Sequence, residues 1–174
     1  MSRSVQAVYD EILADISDDN QQNFLILLAS IMRRDRQVVM PVLTQVVPRL
    51  KPLFISNKNE LTRGIFFDIM VNLYDNFPEF VAYAKSSLIR GLSDPSSEIR
   101  DNLTAYWHNA SRLSLEPNLR LHQILTDLYD HEEEGVWLNN AIFLLLKSSE
   151  SSADFNRALF DFTLNCSFAP LLIN

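Results

Sequence analysis

Only three glycines occur in 174 residues, and none stands in an Asn-Gly, Asp-Gly or Gly-Gly pair. Two-residue β-hairpins favour such pairs because their turns need positive φ, so a sheet-rich fold loses its usual connections. Gly64, Gly91 and Gly135 are also too scattered to form a loop that cradles phosphates, and no Gly-Lys-Ser/Thr follows any of them. Neither Asp-Phe-Gly nor His-Arg-Asp is present, so the segment carries no kinase signature. The single cysteine, Cys166, rules out an internal disulfide and points to a reducing, intracellular home.

Histidine is as scarce. His108, His122 and His131 form no His-Glu-x-x-His arrangement, and Cys166 has no second cysteine near it, so the minimal ligand spacing of a zinc site is missing. Cys166 sits in a hydrophobic tail, where desolvation keeps a thiol protonated and inert. His108 follows Tyr106 and Trp107 and reads as a helix-end histidine packed beside aromatics. Acids such as Asp18, Asp19 and Glu132 to Glu134 fall at predicted helix ends and turns, where they complement the helix dipole without catalysis. No catalytic residue, metal ligand or cofactor is assigned. Long apolar runs are missing too: the stretch 24–31 is too short to cross about 30 Å of hydrocarbon, and Arg33, Arg34 and Arg36 follow it at once. The expectation is a soluble chain without membrane contact.

What the sequence has is helical periodicity. Hydrophobic residues make up 47% and charged residues 21%, enough to build a core in a chain of this length. Val5, Val8, Tyr9, Ile12, Leu13 and Ile16 form one stripe at three- and four-residue spacing; Phe24, Leu27, Leu28 and Ile31 form the next. Pro78, Pro95 and Pro117 read as helix starts, because the amide that proline lacks would be unpaired in a first turn anyway. Asp94 is the expected N-cap before Pro95, and Gly91 is expected to close the preceding helix in a left-handed conformation. These signals predict helices over 4–16, 20–32, 35–47, 58–76, 78–90, 95–109, 117–130, 135–148 and 152–160. Pro41 falls inside the third and predicts a kink or a shifted start. Trp107 and Leu145 are expected core residues.

Short antiparallel helices with polar turns predict an all-α fold of about four antiparallel pairs, stacked as a HEAT-like solenoid with a repeat near forty residues. A globular bundle is the structural alternative. Residues 1–160 are read as a single helical-repeat domain and 161–174 as a C-terminal tail. A net charge of -7 opposes non-specific attraction to nucleic acid for the chain as a whole. The charge is uneven, however: Arg33, Arg34, Arg36, Arg49 and Lys51 bracket one predicted helix and form a candidate basic edge for DNA or an acidic partner. A solvated face is the alternative reading.

The order of residues then carries a resemblance. Arg36-Gln37-Val38-Val39-Met40 and Pro48-Arg49-Leu50-Lys51-Pro52 come first, followed by Ala84-Lys85-Ser86-Ser87-Leu88-Ile89-Arg90-Gly91-Leu92-Ser93-Asp94. Ile99-Arg100-Asp101-Asn102, Tyr106-Trp107, Ser111-Arg112-Leu113-Ser114 and Phe143-Leu144-Leu145-Leu146 follow in order. Together they resemble the late helical-repeat region of the family of DNA-dependent protein kinase catalytic subunits, within the phosphatidylinositol-3-kinase-related kinases, just before the autophosphorylation loop. The resemblance covers roughly residues 24 to 160. It implies a nuclear serine/threonine kinase as parent, acting in non-homologous end joining with the Ku heterodimer at DNA ends. The kinase domain would lie far downstream, so no catalytic or ATP-binding residue carries over. What carries over is a non-catalytic scaffold that packs against other helical repeats of the parent or a protein partner. A free-standing helical-repeat adaptor, unrelated to DNA, is the other function class that the residues allow.

Overall fold

The computed structural model describes residues 18–131 together with 153, 154, 156, 157 and 160. Among the described residues the chain is all-α: six helices, one short 3-10 turn and no strand. The helices are α1 (Asp18–Ile31), α2 (Arg36–Phe54), α3 (Glu60–Asn76), α4 (Val81–Gly91), α5 (Ser97–Asn109) and α6 (Pro117–His131), with the 3-10 turn Pro78–Phe80 ahead of α4. The predicted helices 4–16 and 135–148, and Leu145 with them, lie outside the described residues. The chain divides into two compact units, Met1–Asn72 and Leu73–Asn174.

In the first unit, α2 supplies the central apolar stripe. Val39, Leu43, Val46, Val47, Leu50 and Phe54 are all buried, spaced three and four apart on one face. Leu25 and Leu28 of α1 and Phe66 and Met70 of α3 are buried in the same unit, each nearly inaccessible to water. Phe24 stacks on Phe54 with ring centroids 6.2 Å apart. Asp35 caps α2 by accepting the Gln37 amide at 2.8 Å.

The prolines of α2 correct the sequence reading. Pro41 neither shifts the start nor ends the helix, and Pro48 and Pro52 do not end it either, so α2 runs to Phe54 rather than stopping near residue 47. All three are exposed. At 100° per residue they fall within about 40° of arc, opposite Leu50 at the centre of the buried face. A proline in a helix interior removes an amide, and here each loss lies on the outer face, where water can hydrate the carbonyl left behind.

In the second unit, Leu73, Ala84, Leu88, Ile89, Leu92, Leu103, Trp107, Leu121 and Leu125 make the core. Trp107 is 1% exposed, as the stripe predicts. Pro78 and Pro117 do stand at helix starts, whereas Pro95 lies one residue before the cap of α5. Two cap assignments change. The N-cap of α5 is Ser96, not Asp94: the Ser96 hydroxyl accepts the Ile99 amide at 3.4 Å, while Asp94 accepts the Ser96 amide at 2.8 Å one turn earlier. Gly91 ends α4 as a helical residue, and Leu92 after it is right-handed at φ -66. The chain leaves through successive i to i+3 bonds, Leu92 to Ile89, Ser93 to Arg90 and Asp94 to Gly91, so no left-handed glycine is needed.

Candidate functional site

The five basic residues singled out in the sequence fall at two ends of one helix. Arg33 and Arg34 occupy the α1–α2 turn and Arg36 opens α2, all three exposed. Arg49 and Lys51 sit within the last two turns of α2, half-buried. Thirteen residues separate Arg36 from Arg49, which at 1.5 Å per residue is roughly 20 Å of helix. Arg49 also turns its guanidinium onto the Gln45 carbonyl of its own helix. The structure therefore brings Arg33, Arg34 and Arg36 together at one end and Arg49 and Lys51 at the other, with no acidic residue anywhere on α2 between them.

Three other arginines form a pattern that sequence reading missed. Arg63, Arg100 and Arg120 are each the fourth residue of their helices, α3, α5 and α6. Each folds back onto the backbone carbonyl six residues earlier: Arg63 Nη1 donates to Asn57 O at 2.7 Å, Arg100 Nη1 to Asp94 O at 2.6 Å and Arg120 Nε to Ser114 O at 2.6 Å. The side chain of that same loop residue accepts the amide two positions on, at 2.9 Å for Asn57 to Asn59, 2.8 Å for Asp94 to Ser96 and 3.1 Å for Ser114 to Glu116. Asn59, Ser96 and Glu116 in turn accept first-turn amides of the helices that follow.

The result is a seven-residue box, Asn/Asp/Ser-x-cap-x-x-x-Arg, used three times. A cation in a helix's first turns opposes the dipole by about 0.3–1 kcal/mol, whereas a hydrogen bond to a charged donor contributes about 1.5–3 kcal/mol. Carbonyl binding wins. Arg120, 8% exposed, goes furthest: besides Ser114 it donates to Ala110 O at 3.2 Å, to Leu113 O at 3.4 Å and to His108 O. The signal was in the sequence as a spacing of six between a small polar residue and an arginine. Substitution among Asn, Asp and Ser hides it from identity counts.

A polar and aromatic cluster occupies the second unit. Asp75 accepts the Tyr106 hydroxyl at 3.0 Å and the Ser111 hydroxyl at 3.3 Å. Arg112 lies over the Tyr74 ring at 5.7 Å and donates to the Tyr74 and Asp75 carbonyls. Tyr74 packs edge-on against both Tyr106 and Trp107. Burial first, and the Asp75 charge and hydrogen bond next, push the Tyr106 hydroxyl far above the ordinary tyrosine range. Burial, then the Asp127 charge, pushes Tyr74 up as well. Burial and the Arg120 charge hold the His108 imidazole below its usual value. Each shift favours the neutral form of its group.

In the first unit a groove of about 470 Å³ runs beside α1 and α3, floored by Ile26, Ile65 and Ile69 and edged by Arg33 and Asp68. Partial desolvation raises the Asp68 carboxyl from its ordinary value, although the side chain stays exposed. Among the described residues no group of three or more His, Cys, Asp or Glu is arranged to hold a metal ion. No helix there is long and apolar enough to cross a membrane.

Comparison with known proteins places these features. A family model described as "DNA-PKcs, CC5" matches residues 6–174. Among curated relatives, the DNA-dependent protein kinase catalytic subunit of Dictyostelium discoideum is 35% identical over 131 residues, covering 70% of this chain and 3% of that protein. The proteins of the same name from Gallus gallus and Xenopus laevis are 27% and 28% identical, covering 77% and 70% of this chain but 4% and 3% of their own lengths. The chain thus spans only about 3–4% of the length of the curated relatives it matches. No solved structure matches it.

Proposed function

Since the chain belongs to the DNA-PKcs CC5 family, we propose that it is a non-catalytic, HEAT-like scaffold segment of a DNA-PKcs-like protein that supports double-strand break repair by non-homologous end joining. The observation that carries this reading is a family match across residues 6–174 that takes up so little of each kinase-named relative. Chemistry in such relatives need not reside in this piece. The threefold arginine box supports a repeat architecture, because stacked repeats call for the same junction again and again. On this reading residues 1–160 act as one helical-repeat domain with 161–174 as its tail. Its immediate partners are neighbouring repeats of the parent chain, and Ku and DNA ends are partners of the parent only. The setting is nuclear.

Two experiments test the reading. Sequencing the transcript past the Asn174 codon should reveal an open frame running on into a kinase domain. A stop codon there would favour a free-standing adaptor instead. In the full-length protein, replacing residues 18–131 by a flexible linker should abolish end joining of a cut reporter plasmid while the kinase head still phosphorylates a free peptide. Loss of peptide phosphorylation along with undiminished joining would defeat the scaffold role.

A further inference from the structure

We propose that the groove beside α1 and α3 in the first unit is a docking site for a helical segment of a partner protein, one that carries an acidic and a basic side chain around an apolar one. The inference goes beyond the scaffold role and rests on the groove alone. One wall is formed by positions 26, 29, 30 and 33, on α1 and the turn after it. The other is formed by positions 65, 68, 69 and 72 of α3, which follow the first set at one constant interval along the chain. Residues spaced three, four and seven apart share a helix face, so two matching faces border the groove.

That match separates what packing requires from what it does not. Asp68 stands at the position where α1 has Ala29, and Arg33 at the position where α3 has Asn72, so neither charge is a requirement of the two helical faces. Both side chains are exposed, and among the described residues neither makes a hydrogen bond or an ion pair. Partial desolvation lifts the Asp68 carboxyl, and no cation of the chain offsets it. A cation brought by a partner supplies that offset.

A groove that offers one cation, one anion and apolar surface selects a ligand with all three complements. Nucleic acid and acidic lipid surfaces bring anions only, so Asp68 repels what Arg33 attracts. A polypeptide brings both signs. The apolar surface also extends further than one small molecule covers: Ile26 is 51% exposed in its wall, and Leu61, one turn before Ile65 on the same face of α3, is 67% exposed. Each wall runs for two helical turns, roughly 10 Å, which matches two turns of a third helix laid with its ridge in the groove. A leucine on that ridge meets Ile26 and Ile65, with a glutamate for Arg33 and a lysine for Asp68.

The test uses the full chain and labelled helical peptides followed by fluorescence anisotropy at physiological ionic strength, where distant charges are screened. Three peptides share a leucine centre and differ in the two side chains around it: glutamate with lysine, two glutamates, or two lysines. The mixed peptide should bind in the micromolar range, at least about fivefold more tightly than either of the others. Ile26→Asp should weaken it by about tenfold or more, with unchanged circular dichroism and melting temperature, since the position is exposed. Val38→Asp, at an exposed apolar position outside the groove, should leave binding unaltered. Arg33→Glu should turn the preference to the two-lysine peptide, and Asp68→Lys should turn it to the two-glutamate peptide, an exchange that loss of folding cannot imitate. Equal binding of the three peptides, no binding of the mixed one, charge variants that leave the preference in place, or indifference to Ile26→Asp would each overturn the proposal. So would tighter binding of a short DNA duplex, or a dimer of the chain alone that Ile26→Asp abolishes.

Discussion

Arg120 Nε donates to the carbonyl of Ser114 at 2.6 Å, and the same guanidinium reaches the carbonyls of Ala110 and Leu113 at 3.2 and 3.4 Å. One buried cation thereby gathers most of the α5–α6 connection. Arg120→Met keeps the length of the side chain and deletes every donor, leaving loop carbonyls buried without partners. The expected cost is roughly 2–4 kcal/mol in urea unfolding. Arg120→Lys should recover only part of it, since a point charge cannot reproduce a planar fork. A loss under about 0.5 kcal/mol for Arg120→Met would show that the loop is held by something else.

Trp107 separates packing from hydrogen bonding. Its ring is 1% exposed, and among the described residues no acceptor meets its indole N–H. Trp107→Ala should cost about 3–5 kcal/mol through the cavity it opens. Trp107→Phe also removes the unpartnered N–H, so it should cost clearly less than a pure size argument predicts. A loss for Trp107→Phe at least as large as its size deficit alone predicts, read from chemical unfolding, would mean that the N–H is satisfied in solution.

Alkaline pH should weaken the second unit through its tyrosines. The folded-state value of Tyr106 is raised, so its neutral form is the one that folding favours. Stability from this group is fully present below the ordinary tyrosine value, about 10, and is lost as pH rises beyond it. Tyr74 is raised in the same direction and adds to the slope. Tyr106→Phe should flatten the alkaline limb of a melting temperature against pH curve, at the cost of the hydrogen bond to Asp75. An unchanged slope would place the titration elsewhere.

Asp68 repeats this sign at lower pH. Its carboxyl is raised by partial desolvation, and because the side chain stays exposed, ionising it opposes folding only weakly. The fold is favoured below the unfolded carboxylate range and loses that contribution as pH rises through it. Asp68→Asn should therefore raise the melting temperature slightly at pH 7 and leave it unchanged in acid. A fall at pH 7 would reveal an ionic partner for Asp68 in solution.

Much of the fold was legible because it depends on periodicity. The stripe of Phe24, Leu27, Leu28 and Ile31, and the prolines at Pro78 and Pro117, mark where helices lie, although Leu27 is exposed and Leu25 takes a place in the core instead. The errors came where two local preferences competed. Asp94 followed by Pro95 carries every mark of a cap, yet Asp94 closes the preceding turn and Ser96 does the capping. The helix predicted over 35–47 ends too early because sequence position alone does not tell that Pro48 and Pro52 lose their amides on the outer face. The arginine box was hidden for a different reason. It acts through backbone carbonyls, which have no letter in the sequence. The grouping of Arg33, Arg34 and Arg36 followed from adjacency, whereas the distance to Arg49 and Lys51 depended on α2 continuing through its prolines.

Those prolines have a consequence before α2 exists. Val38, Val39, Val42, Val46 and Val47 are β-branched and uncharged, and in a nascent or unfolded chain such a stretch is suited to stacking into cross-β aggregates. Proline cannot donate to a strand ladder, so Pro41 and Pro48 cut the stretch until only residues 42–47 remain uninterrupted, and Pro52 guards its far side. The folded helix gives up three amide bonds on its wet face. In return a long β-branched segment is broken up whenever it is unfolded.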